Sequence, residues 1–423
     1  MLVFIAFSIF VSCSSHANER DLHWETGERL TIDDFLYDLD FFKAELNENF
    51  SFFGIGYRRG MDISSLFIRT RDELLAIDNI GMDDFIRVLD YELLSHTRRL
   101  GHLRMLLHED YVGVMNNIKR NPGLGELGFS FDQQLWLDFL LHPSVVAFYG
   151  TVEVDLETTI GFEVSPNNVY TQIFSEYGFA YLTFSWFPVA NMEYDRQLLL
   201  DFFYEIADME HLIIDLRNNP GGFTQYFTEL VVRPNLSNTL TAPFFLFCSG
   251  GQNSINRMNA VLDTWYLRDG IQSELLAIEE LMSIHYLRYF KTEDMEWLDY
   301  GTVWHQRIDP IFDSAIFNQN IWILVNERTA SAAEQVAIFA KYSGFATVVG
   351  VPTMGLTGGS GLISTFLLPN TGILIRYDVT YFTNMHGQAF DEYGLIPHHQ
   401  MIHDKNIHEV ITFLLELHCT YYN

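Results

Sequence analysis

The chain has 423 residues, 48 % of them hydrophobic, and carries 25 lysines and arginines against 55 aspartates and glutamates, a formal net charge of −30. That length and apolar content fill sizeable cores and allow more than one domain, which excludes a disordered chain. The acidic excess repels nucleic acid and anionic membrane surfaces, so neither is an expected ligand.

In chain order, the opening run MLVFIAFSIFVS is apolar and too short to span a bilayer, so residues 1–19 read as an export leader outside the fold. Phe10, Val11 and Ser12 ahead of Cys13 have the form of a lipoprotein signal with a lipid anchor on Cys13, and cleavage after Ala17 is the competing reading. Both put the protein outside the cytoplasm, in the cell envelope. Cys248 and Cys419 are too few for a disulfide framework and lack metal-ligand spacing, so they read as core residues, and no metal or organic cofactor is implied.

Residues 27–125 read as an N-terminal helical domain. Thr31 with Asp34 suggests a capping pair, after which Phe35, Leu39, Phe42 and Leu46 share one helix face. A second helix is predicted over residues 64–77. A third starts at Met82 and turns Phe85, Leu89, Leu93 and Leu100 inward until Gly101 ends it. His102 follows, where a histidine can stabilise the last helix carbonyls. Residues 126–175 connect onward, with a helix expected over 132–142 and strand-like alternation over 152–170.

From residue 176 the pattern becomes α/β. The segment FAYLTFSWF reads as a strand, Asp195 to Ile206 as a helix turning Leu198, Leu199, Phe202 and Ile206 to one side, and HLIIDLR as a second strand, a βαβ unit with parallel pairing. That strand ends in Asp215, Arg217, Asn218 and a Pro-Gly-Gly turn. There Gly221 and Gly222 allow positive φ and can aim amide hydrogens at a bound oxygen. A long insertion, 225–320, follows, with helices expected around 253–266 and 271–289. Ile321 to Val325 then form a buried strand, and NERTASAAEQV turns sharply into a helix, which puts Ser331 at the junction. Two readings stand: Ser331 or Thr329 caps the helix, or Ser331 is a nucleophile where unpaired amides favour developing negative charge. The glycine-rich loop 350–361 lacks the lysine of a phosphate-binding loop.

DLRNNPGG and, more than a hundred positions later, TASAAE together resemble the C-terminal processing (tail-specific) serine peptidases, a family that includes the tricorn protease core. The resemblance covers roughly residues 176–400. It implies a ClpP/crotonase-like α/β core of repeated strand-strand-helix units within residues 176–423, with the N-terminal helical region as a cap domain. It also implies a serine endopeptidase that hydrolyses protein or peptide substrates through an acyl-enzyme, without a cofactor. Ser331 would be the nucleophile, and the amides of Ala332 and Gly221, with Gly222 beside it, the oxyanion hole.

In the family's Gly-x-x-Thr-x-Gly-Lys loop the lysine is the base. Gly350, Thr353 and Gly355 match it here, but Leu356 stands in the lysine's place. Lys341 lies ten residues along the nucleophile's own helix, about 15 Å away, too far to replace it. The likeness is therefore to the tricorn type, in which Gly101-His102 resembles an Asp-Gly-His element, with Leu100 replacing the aspartate, and supplies the base. Asp391 and Glu392, ahead of Gly394 and Pro397, resemble the family's Glu-x-x-Gly-x-x-Pro-Asp and would orient the base-side network, His398 replacing the last aspartate. A binding protein that keeps the scaffold without turnover is the alternative from another class. A carboxylate-pair glycosidase leaves both motifs unexplained.

Overall fold

The computed structural model describes residues 10–11, 29–120, 140–151, 167–269, 273–357, 363–401 and 405–422. Cys13, most of the connecting stretch 126–175 and the end of the glycine-rich loop lie outside them. The chain divides into two compact units, one of Ile160–Pro243, His305–Thr357 and Tyr393–Asn423, the other of Met1–Thr159, Phe244–Trp304 and Gly358–Glu392.

The first unit is built on a six-stranded sheet in the order His399–Gln400, Thr347–Gly350, Asn320–Val325, His211–Asp215, Phe179–Phe184, Val169–Phe174. All neighbours pair in parallel except the last two strands. The central strands are continuous apolar runs because a parallel sheet is covered on both faces. Ile213, Trp322, Leu324 and Val349 pack against Val410, Ile411 and Leu414 of the helix Ile407–Tyr422, each contributing about 1.5–3 kcal/mol as an upper estimate. In the helix Met192–Glu205, Leu199 and Phe202 are buried, as is Ile206 at its end, but Leu198 is 43 % exposed. Positions one apart on a helix do not share a face, so Leu198 turns outward. In the register of the two central strands Asp215 faces Leu324. The glycine turn and the TASAAE junction therefore leave adjacent strands at the same carboxyl end of the sheet, where open α/β sheets place their sites.

The second unit holds the helices Ile32–Asn49, Phe53–Arg58, Ile63–Leu75 and Met82–Leu89. The backbone N–H and hydroxyl of Thr31 donate to Asp34 at 2.7 and 2.6 Å, and Phe35, Leu39, Phe42 and Leu46 are at most 2 % exposed. An amphipathic helix must bury its stripe, and here strands from late in the chain cover it: Phe42 meets Phe366, and Phe50, just past the helix, meets Tyr377. Strands Ile363–Leu367 and Leu374–Asp378 pair antiparallel, Arg104–Met105 adds to the latter, and Phe10–Val11 of the expected leader pairs with Ser364 and Thr365. A second sheet runs Tyr381–Thr383, Leu240–Cys248, Tyr300–Ile308, Leu276–Ala277. The insertion 225–320 thus supplies strands as well as helices, Gln252–Asp269 and Ile278–Ile284 among them. The helical region shares its unit with residues 244–304 and 358–392. Cys248 is buried as expected, whereas Cys419 is exposed, because it falls on the outer side of the last helix. No helix among the described residues is long and apolar enough to cross a membrane.

Candidate active site

The two motifs of the first unit are tied together by hydrogen bonds. The Thr329 hydroxyl donates to Leu216 O at 2.8 Å, Ala330 N–H to Asn219 O at 3.1 Å, and Asn326 Nδ2 to Asn218 Oδ1 at 3.1 Å. Thr329 is therefore spent on joining strand ends rather than on capping. The helix runs Ser331–Ser343 with Ala330 at its extended cap position, so Ser331 is its first residue and not its cap. Ser331 has φ +52°. A left-handed conformation costs a side-chain-bearing residue about 1–3 kcal/mol and persists only where the surroundings enforce it. The enforcement is visible: Ser331 N–H donates to Leu356 O at 2.8 Å. Gly221, at φ +102°, lies so close that a Cβ on it would sit 2.7 Å from Ala332 N and 2.8 Å from Ser331 Cβ.

The expected oxyanion donors are not equivalent. Gly221 N–H already donates to Asn219 Oδ1 at 2.8 Å. Gly222 forms a parallel bridge with Phe187 in which Gly221 O and Phe223 N–H carry the hydrogen bonds, which directs its own N–H away from Phe187.

Leu356 meets Ser331 through its carbonyl, and its side chain carries no basic group. Its loop is held by Glu334, three residues after Ser331 and fully buried: Glu334 accepts from Gly355 N–H at 3.2 Å, Leu356 N–H at 3.0 Å and the Thr353 hydroxyl. Burial pushes this carboxyl up to about 7 against the pull of those bonds. Thr353 Oγ1 in turn accepts Leu395 N–H at 2.6 Å, which fixes the Gly394-to-Pro397 segment. Lys341 Nζ donates to Ile396 O at 2.6 Å. His398 accepts Val348 N–H on Nδ1 at 3.0 Å, and burial, with Lys341 and His399 adding to it, pushes it down to about 4, so it is a neutral structural acceptor.

In the second unit Gly101 and His102 have φ +54° and +49°. A Cβ on Gly101 would meet the Phe52 ring at 2.6 Å, which demands glycine there. His102 Nδ1 lies 2.6 Å from Asp378 Oδ2, and Asp378 N–H donates to Gly101 O at 2.6 Å. A carboxylate only accepts, so Nδ1 carries the hydrogen, and in the neutral ring the lone pair is then on Nε2, the tautomer a general base needs. The histidine's carboxylate is thus Asp378, which the motifs did not single out. Two charged residues, Arg376 and Asp378, alternating in an otherwise apolar strand were the available signal, since buried charge requires a partner.

Glu392 instead receives Arg58 Nε and Nη2, both at 2.8 Å. Arg58 also reaches Asp294, as does the Tyr381 hydroxyl. Burial alone would lower the guanidinium, but Glu392 and Asp294 hold it above its ordinary value. Asp391 is 2 % exposed and its carbonyl accepts Arg59 Nη2. Of the four non-glycine residues with positive φ among the described residues, Asn79 and Asn218 are asparagines, which tolerate it. The other two are Ser331 and His102.

A profile of peptidase family S41 matches residues 178–401, more than half of the chain. Among solved structures the chain is similar to a candidate peptidase from Parabacteroides merdae, at 15 % identity over 92 % of this chain and 96 % of that one with a TM-score of 0.51. It is also similar to a point mutant of CPAF, at 13 % identity over 88 % and 93 % with a TM-score of 0.51. At such identities the structures speak to the fold. The family match spans both the glycine turn and the strained serine, and the chain belongs to peptidase family S41, serine peptidases whose substrates are proteins or peptides.

Proposed function

We propose that the chain is a serine endopeptidase of the histidine-base type, acting on proteins or peptides in the cell envelope. Ser331 attacks the scissile carbonyl to form an acyl-enzyme, while His102 takes the hydroxyl proton and returns it to the leaving amine. Asp378 orients the imidazole through Nδ1. The oxyanion rests on the amides of Ala332 and Gly222, with Gly221 joining only if its bond to Asn219 opens. Losing one such donor costs roughly a hundred- to thousandfold in rate. The observation that carries this reading is the left-handed backbone at both Ser331 and His102, strain that a purely structural turn would shed by adopting asparagine or glycine. Envelope location and a lipid on Cys13 belong to the same proposal, and a Cys13→Ser variant leaving the membrane fraction would test them.

A fluorophosphonate probe tests the chemistry. It should label the purified protein at Ser331, and neither Ser331→Ala nor His102→Ala should label at a comparable rate. The second reading, a binding protein without turnover, is favoured by the occupied Gly221 amide. Absence of labelling together with retained peptide binding would establish it.

A further inference from the structure

The glycine turn is the softest backbone of the serine half. Gly221 and Gly222, at φ +102° and +127°, occupy regions where no side chain limits rotation. One flank of the turn is pinned by Phe187, just past the strand Phe179–Phe184: Phe187 N–H donates to Gly221 O at 2.8 Å, and Phe223 N–H donates to Phe187 O at 2.9 Å. Held on that flank alone, the turn would pivot there and carry the Gly222 amide toward or away from the helix that starts at Ser331.

Gln335 ties down the opposite flank. It lies four residues after Ser331 in the helix Ser331–Ser343, so the two share a face one turn apart. Gln335 Oε1 accepts the Thr224 hydroxyl, two residues past Gly222, at 3.0 Å. Its Nε2 donates to Thr357 O at 2.5 Å, one residue past Leu356, whose own carbonyl accepts Ser331 N–H. One side chain thus joins the glycine turn, the nucleophile's helix and the loop that holds the serine backbone. The bridge suits an amide: a carbonyl oxygen can only accept, so the group between it and a donating hydroxyl must both donate and accept. Glu334, its neighbour, grips the loop earlier, at Thr353, Gly355 and Leu356.

We infer that Gln335 is a positioning residue of the oxyanion hole: by tying Thr224 to Thr357 it sets the separation between the Gly222 amide and the start of the serine's helix. Its use in catalysis rests on the proposed peptidase reading, but the tie itself does not. A donor held out of place still lets the substrate bind and stabilises the transition state less, so the loss falls on the maximal rate rather than on half-saturation. Removing a donor outright costs roughly a hundred- to thousandfold, and loosening one should cost roughly tenfold.

The test uses the full chain and the kinetics of fluorophosphonate labelling at Ser331. Thr224→Val removes the hydroxyl at nearly constant volume, and Gln335→Met removes both bonds. Each should lower the maximal labelling rate roughly tenfold, with the half-saturating concentration within about twofold of wild type. Thr224→Ser, which keeps the hydroxyl, should restore the rate, and the double variant should be no slower than Gln335→Met because both changes act on one bridge. An unchanged rate in Thr224→Val and Gln335→Met, or an equal loss in Thr224→Ser, overturns the inference. Should Gln335→Met not fold, Thr224→Val, at a partly exposed position, decides. Hydrogen exchange read by mass spectrometry needs no turnover: amides of residues 219–224 should exchange faster in Thr224→Val, and those of the strand 179–184 should not. If wild type does not label, the peptidase reading falls and exchange decides the tie, faster exchange supporting it and unchanged exchange overturning it.

Discussion

The serine and the histidine are held in the same strained backbone region by different means. Around Ser331 the restraint is distributed: main-chain bonds run from Ser331 to Leu356 and from Ala330 to Asn219, and Thr329 ties the junction to Leu216. Around His102 it is concentrated in one residue, since Asp378 holds the ring through Oδ2 and the preceding glycine carbonyl through its own N–H. A restraint shared among main-chain groups tolerates side-chain substitution, whereas one vested in a single carboxylate does not. On the proposed reading, loss of the Asp378 carboxylate should therefore cost catalysis more than loss of any single tie around Ser331.

That contrast is broken or sharpened first at the acid. Asp378→Asn keeps the volume but offers the ring an amide that can donate as well as accept, so the imidazole settles in the wrong tautomer. Hydrolysis of an unfolded protein substrate should fall by roughly a hundred- to ten-thousandfold. Glu392→Gln should do the reverse, leaving the rate near wild type while weakening the Arg58 fork by about 1–3 kcal/mol, read in a denaturant melt. A large rate loss in Glu392→Gln with Asp378→Asn active would return the acid role to the Asp391–Glu392 pair. A smaller effect probes the distributed restraint. Ser331→Gly removes the Cβ that disfavours φ +52°, and should raise stability by about 1 kcal/mol while eliminating turnover. A lower melting temperature in that variant would mean that the serine conformation carries no strain.

The same contrast explains what the sequence made legible. The juxtaposition of Gly221 and Ser331 follows from contiguous strings, because a strand end, a glycine turn and a helix start each leave a local signature, and two adjacent parallel strands bring them together. Leu356 was legible for the same reason: a lysine missing from a recognisable loop can be seen without any coordinates. Of the His102–Asp378 pair only the histidine was singled out from the sequence. Its carboxylate partner lies 276 positions away on a strand that pairs with residues 104–105, a nonlocal contact whose one local trace is the charge at Arg376 and Asp378 in an otherwise apolar strand. Glu392 was attractive by residue type and Asp391 by its spacing to Gly394, but Arg58, from a helix early in the chain, claims the Glu392 carboxylate. The grouping of residues 244–304 and 358–392 with the N-terminal helices was hidden likewise, since an amphipathic stripe declares that it needs cover without declaring which segment supplies it.

Each half also contains a buried carboxylate that clamps a loop, and the two should be separable by pH. In the serine half, burial raises Glu334 from 4.5 to about 7 despite its three donors. In the other half, burial raises Asp38 from 3.8 to about 6 while it accepts Asn370 N–H at 2.9 Å and Thr371 N–H at 2.8 Å. A carboxyl whose folded value exceeds its unfolded one binds more protons in the native state between the two. Its contribution to stability is therefore complete below the unfolded value and is lost as pH rises through the folded one. For Glu334 that window runs from about 4.5 to 7, and for Asp38 from about 3.8 to 6. Melting temperature against pH for wild type, Glu334→Gln and Asp38→Asn should show each substitution flattening only its own window, by a few degrees. If Glu334→Gln runs parallel to wild type between pH 5 and 7.5, Glu334 is ionised throughout. Its grip on Gly355 and Leu356, and through Leu356 on Ser331, would then be the full-strength bond of a carboxylate at every pH at which the enzyme works.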